Sequence, residues 1–159
     1  MRLADSRTPK GLGLLPSDEK VQSTLEMVQR YVDEARGSGD VLFMDQRQLL
    51  TFGYVTNVPL VWEYEKKLMM DKALSGDAAY FEPFYRDLSE GRFSLIVSHP
   101  LQTPIKDSDY QFGEENNAWL KWISRPVLCY YEPVETDLEF RLQLLVPKKE
   151  AVECSEASP

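Results

Sequence analysis

The chain has 159 residues, the length of one domain, with 43% hydrophobic and 28% charged residues, so it can bury a core without metals or a disulfide framework and is not disordered throughout. Its net charge of −8, from 18 basic and 26 acidic residues, argues against general nucleic-acid binding and against docking on an anionic membrane through a basic patch. No run of about 18 apolar residues is present, which excludes a membrane span, and Met1 to Pro16 carries no signal-peptide core, so the expected compartment is the cytoplasm.

Residues 1–16, with Pro9, Gly11, Gly13 and Pro16, read as a flexible leader. Ser17 is a good helix cap, with Asp18 and Glu19 facing the positive helix end. Val21, Leu25, Val28, Val32 and Ala35 then form one apolar helical stripe, stopped by Gly37 and Gly39. If the whole stripe is core, Leu25→Ala costs about 2 to 4 kcal/mol. Val41 to Met44 is a short apolar run of the central-strand kind, followed by the polar cluster Asp45, Gln46, Arg47, Gln48. A short helix over Leu49 to Phe52 follows, closed by Gly53.

Trp62 to Leu74 is rich in helix formers and ends at Gly76. Asp77 caps a second helix, in which Pro83 implies a kink or a later start. Phe93 to Val97 reads as a second buried strand, ending in Ser98-His99-Pro100. A loop containing Pro104 leads to a helix over Glu114 to Ser124, with Pro126 as its stop. Val127 to Tyr131 reads as a third strand. Leu138 to Val146 alternates apolar and polar residues and reads as a fourth, with one wet face, antiparallel at the sheet edge. Residues 148–159 read as a flexible tail, so residues 17–147 form the single α/β domain. Helices between buried strands imply a small Rossmann-like three-layer sandwich, its sheet mostly parallel with an antiparallel edge strand.

In such sheets ligands bind outside the carboxyl ends of the strands. Three candidate groups fall there: Asp45, Gln46 and Arg47 after strand one, Ser98 and His99 after strand two, and Glu132 after strand three. Arg47 suits bidentate binding of a phosphate or carboxylate, Asp45 suits sugar hydroxyls, and His99, the sole histidine, suits proton transfer or donation. Against these stands a bland reading, in which Asp45 and Arg47 cap the next helix and His99 makes a structural hydrogen bond. Glu115 and Asn116, beside Trp119, suit hydroxyl recognition next to an aromatic ring; equally, they suit an ordinary helix start, with Trp119 and Trp122 as core.

Asp45, His99 and Glu132 are ligand types for a divalent ion, but their spacing carries no signature, and no metal or cofactor is expected. Cys129 and Cys154 carry no pattern that demands a disulfide. There is no G-x-G-x-x-G after strand one, no P-loop and no G-x-S-x-G elbow.

Three stretches, VLFMDQRQLLTFG at 41–53, RFSLIVSHP at 92–100 and ENNAWLKW at 115–122, together resemble the soluble C-terminal region of bacterial polytopic membrane proteins related to the GT-C glycosyltransferases, which use polyprenyl-phosphate sugars. The resemblance spans roughly residues 16–147. It implies an extracytoplasmic accessory domain that helps hold an acceptor, with a membrane glycosyltransferase-like protein or a glycan or lipid-linked sugar as partner. The family's catalytic acids belong to its membrane part, which this sequence does not contain, so no catalytic residue is carried over. Two alternatives remain: a free-standing Rossmann-type group transferase using Asp45, Arg47 and His99, and a protein-interaction module with exposed aromatics.

Overall fold

A computed structural model describes residues 17–101, 112–150 and 153–154. The expected leader, the loop around Pro104 and most of the expected tail lie outside the described residues.

Ser17 caps α1 (Asp18–Ala35), its side chain accepting from the Lys20 amide at 3.2 Å. Only Val28 and Val32 of the apolar stripe are fully buried; Val21 and Leu25 are half-buried near the entry of the helix. The chain turns into β1 (Asp40–Phe43) through Gly39, where a Cβ would stand 2.8 Å from the Arg92 carbonyl oxygen. That carbonyl also accepts from the Asp40 amide at 3.1 Å, so glycine lets the two backbones close the start of the sheet.

After β1 come a one-turn helix α2 (Gln48–Thr51), a 3-10 turn (Trp62–Tyr64), α3 (Lys66–Ser75) and α4 (Ala78–Ser89). The segment expected as one helix from Trp62 is thus divided at Glu65, whose extended backbone and carboxylate cap α3 by accepting from the Leu68 amide at 2.8 Å. Asp77 caps α4 in the same way, and α4 begins at Ala78 with an exposed Pro83 inside it. Strand β2 (Phe93–Ser98) follows.

The next helical stretch overturns an expectation. Instead of stopping at Pro126, the helix runs on as α5 (Gly113–Trp119), a π-helical stretch (Leu120–Ser124) and α6 (Arg125–Tyr130). In an α-turn the Trp122 carbonyl would receive the amide of residue 126, and proline has none. The Tyr85 hydroxyl, from α4, donates to that carbonyl at 2.8 Å. Residues 127–130, expected as a strand, are therefore helix, and β3 (Tyr131–Asp137) begins where the strand was to end.

The sheet order is β1-β2-β4-β3, with β4 spanning Leu142–Pro147. Only β1 and β2 pair in parallel; β2–β4 and β3–β4 are antiparallel. The sheet is thus mixed, not mostly parallel: β3 runs in the same direction as β1 and β2, but β4 turns back and inserts between β2 and β3, so both of its pairings are antiparallel. The β3–β4 pairing is antiparallel as expected, but β3 is the edge strand and β4 is interior. Leu142, Gln143, Leu144 and Leu145 are all buried, so the alternation at 138–146 does not mark a wet face. Pro133 sits on the edge strand, where a missing ladder donor is tolerated.

Both faces of the sheet are apolar. Val41, Phe43, Leu95, Val97 and Leu144 pack with Val28 and Val32 of α1. Leu42, Phe93, Ile96 and Leu145 pack on the other face with Met69, Phe81, Phe84, Ile123 and Val127. A disulfide joins Cys129 of α6 to Cys154, with Cα atoms 6.1 Å apart, and ties the chain after β4 back to the domain. No helix among the described residues is long and apolar enough to cross a membrane.

Candidate functional site

The apolar runs of β1 and β2 end side by side, because the strands are parallel and in register from Val41 opposite Leu95 to Phe43 opposite Val97. The residues after the two runs therefore emerge at the same edge of the sheet. Asp45 leaves β1 there, and Ser98 and His99 end β2.

Asp45 is the hub. Its Oδ2 lies 2.8 Å from His99 Nδ1 and 2.8 Å from Lys66 Nζ, and Oδ1 accepts from the Gln46 amide at 2.9 Å. Lys66, the first residue of α3, also stands 3.2 Å from His99 Nδ1 and 5.9 Å from the centre of the Trp119 ring. Burial lowers the His99 pKa below its ordinary value; Asp45 pulls it up, while Lys66 and Arg141 add to the depression. The ring is therefore neutral near pH 7. A proton on Nδ1 suits the Asp45 carboxylate at 2.8 Å, and in that tautomer Nε2 carries the lone pair.

Around this cluster lies a cleft of about 450 Å³. Its walls include Lys66 and Met70 of α3, Glu115, Asn116 and Trp119 of α5, Ser124, and Arg141 from the β3–β4 turn. Of the four non-glycine residues with left-handed backbone among the described residues, Phe112 and Arg141 line the cleft and Gln46 adjoins it. Such conformations concentrate where surrounding structure enforces a geometry. The π-helical stretch ends at Ser124 in the same wall.

Five expected residues thus meet in one cleft: Asp45, Ser98, His99, Glu115 and Asn116. Ser98 is buried, and its hydroxyl donates to the His99 carbonyl at 2.7 Å, so it shapes the turn. Three expected residues do other things. Gln46 points away and is buried; its Nε2 donates to the carbonyls of Phe140 and Arg141 at 3.2 and 2.8 Å. Arg47 is a brace, with Nε donating to the Phe43 carbonyl at 2.9 Å and Nη2 to the Val61 carbonyl at 2.5 Å. Glu132 lies at the opposite end of the sheet. Tyr131 pairs with Pro147 and Asp137 with Leu142, while Gln143 pairs with Ser98, so it is the far end of β3 that reaches the cleft. The start of β3 was misplaced because residues 127–130 are helix, and the considered metal trio of Asp45, His99 and Glu132 does not assemble.

Sequence reasoning missed Lys66 and Arg141. Lys66 lies in a run of helix formers where lysine reads as solvated surface, and Arg141 lies in what reads as the wet face of a strand. Trp119, read as core, is half-buried and does pack on the core, yet it also faces the cleft. Comparison with protein-family profiles, with curated proteins and with solved structures finds no match for this chain.

Proposed function

We propose that this chain is a ligand-binding accessory domain related to the membrane glycosyltransferases of the GT-C kind, and that a hydroxyl-rich ligand, a glycan or the sugar of a lipid-linked donor, occupies the cleft at the ends of β1 and β2. One observation carries the reading. The three stretches that bear the resemblance, distant in sequence, meet there: the first supplies Asp45, the second His99, the third Glu115, Asn116 and Trp119. Carboxylates and an amide bond hydroxyls, and an indole face packs against the C–H face of a sugar ring. On this reading the fold is a reduced Rossmann-like three-layer sandwich, with α1 and the short α2 on one face of the sheet and α3 to α6 on the other. The Cys129–Cys154 disulfide agrees with an extracytoplasmic setting, where disulfides persist.

Calorimetric titration of the domain with a panel of hexoses and oligosaccharides tests the reading. Saturable heat with at least one of them, weakened by Trp119→Ala and by Asp45→Asn, supports it. Heat that neither substitution changes sinks it.

A second reading has its own observation. With the Asp45 carboxylate on Nδ1, His99 can serve as a base through Nε2, as a group transferase needs. Turnover abolished by His99→Ala, with stability nearly unchanged, selects this alternative over the accessory role. The interaction-module reading rests on the exposed aromatics Phe52, Tyr54, Trp62 and Phe112, of which only Phe112 is among the residues lining the cleft.

A further inference from the structure

The cleft holds one cation that the fold does not use. Lys66 is paired with Asp45, Arg47 is spent on two carbonyls, and Arg92 is gripped by Asp40, Glu63 and Asp87. The Arg141 guanidinium has no ion pair or hydrogen bond among the described residues, yet it lines the cleft wall.

Its backbone, by contrast, is held firmly. Arg141 has φ +54, a left-handed conformation that arginine adopts only when its surroundings impose it. Its amide donates to the Leu138 carbonyl at 3.3 Å, and its own carbonyl accepts from the buried Gln46 at 2.8 Å. A side chain from the end of β1 thus fixes where the backbone of Arg141 stands, and its exposed side chain lines the cleft from there.

We propose that the ligand carries an anionic group, a carboxylate or a phosphate, and that Arg141 binds it, with Lys66 as the second positive charge and Gln46 as the residue that positions Arg141. The inference rests on the reading of the cleft as the ligand site and narrows its ligand to acidic or phosphorylated sugars. A guanidinium offers two parallel donors to either group. Glu115 and Asn116 meet the neutral hydroxyls of the same molecule.

His99, the only histidine, is a built-in reporter. The groups facing it are Asp45 after β1, Lys66 on α3, Glu115 on α5 and Arg141 on the hairpin. An anion on Arg141 cancels part of the positive field that disfavours the imidazolium, so its binding raises the His99 pKa.

The experiment follows the His99 ring C–H resonances against pH with no additive, with glucose 1-phosphate, with glucuronate and with glucose. The expected result is a saturable rise of about half a unit or more with at least one anion and not with glucose. Affinity for that anion should fall about tenfold in Arg141→Gln and in Gln46→Ala, and less in Arg141→Lys. A response to glucose 1-phosphate alone identifies a phosphate ligand; a response to glucuronate alone identifies a carboxylate. Binding of glucose as tightly as the anions, or anion binding untouched by Arg141→Gln, overturns this proposal while leaving the ligand-binding reading standing. No binding of any of the three overturns both.

Discussion

The buried side chain of Gln46 donates to the carbonyl oxygen of Arg141 at 2.8 Å, across 95 residues of sequence. A second bond, to the Phe140 carbonyl at 3.2 Å, fixes the same turn, and Gln48 donates to the Gln46 Oε1 at 2.6 Å. Gln46→Ala leaves two carbonyls and an amide without their partner. We expect a loss of about 1 to 3 kcal/mol, read from the urea midpoint at unchanged slope. Gln46→Glu should cost at least as much, because it replaces the donor with a charge that faces carbonyl oxygens. Stability equal to wild type in both variants would mean that the turn is held by other contacts.

The helix through Pro126 rests on a comparable substitution of partners. Tyr85→Phe strips the Trp122 carbonyl of its donor and should cost about 1 to 2 kcal/mol. Pro126→Ala restores a backbone N–H at the position that would otherwise supply that bond. In a double-mutant cycle, Tyr85→Phe should therefore cost less in the Pro126→Ala background than alone. Strictly additive costs would show that the hydroxyl does not stand in for the missing amide.

The α1 stripe separates core from periphery. Val32 is fully buried, and Val32→Ala removes two carbons at roughly 0.8 kcal/mol each plus a cavity contribution, about 2 kcal/mol together. Leu25 is half-buried at the edge of a surface groove, so Leu25→Ala should cost less than about 1.5 kcal/mol, below what the stripe alone implies. Equal costs at the two positions would place Leu25 in the core after all.

The His99 environment has a pH signature. Because folding lowers its pKa, the unfolded chain binds the proton more readily, and the stability that neutral His99 contributes is complete above its ordinary value. It is lost as pH falls from that value through the folded one. Asp45→Asn removes the one group that raises the pKa and should lower it further. Lys66→Gln should raise it, provided Asp45 stays ionised. The His99 resonances read all three, and in His99→Gln this part of the pH dependence of the urea midpoint should vanish.

How far the sequence could be read depends on where its signals are local. The run at 41–44 is apolar throughout and that at 93–97 is apolar but for Ser94, and they are punctuated by Gly39, Asp45 and Pro100, so both strands and the meeting of Asp45 with His99 come from chain-local information. The stretch 127–131 misleads because Pro126 normally ends a helix and Val127, Tyr130 and Tyr131 favour strands. The Trp122 carbonyl that Pro126 leaves without an α-helical donor is met by the Tyr85 hydroxyl, from a helix 37 residues away in sequence, which no window around Pro126 contains. The displacement of Glu132 stems from that one error. Lys66 and Arg141 escaped notice for another reason: a cation that faces a cleft looks, in sequence, like a cation that faces water.

The central claim is that one cleft at the ends of β1 and β2 is the ligand site. The most direct test is a map of backbone amide shifts in the intact chain, titrated with glucose, glucuronate and glucose 1-phosphate. The account predicts saturable changes gathered on Asp45, His99, Glu115 to Trp119 and Arg141, and none around Arg92 and Pro59 at the opposite end of the sheet. Changes centred on that far end, or spread evenly without saturation, would contradict it.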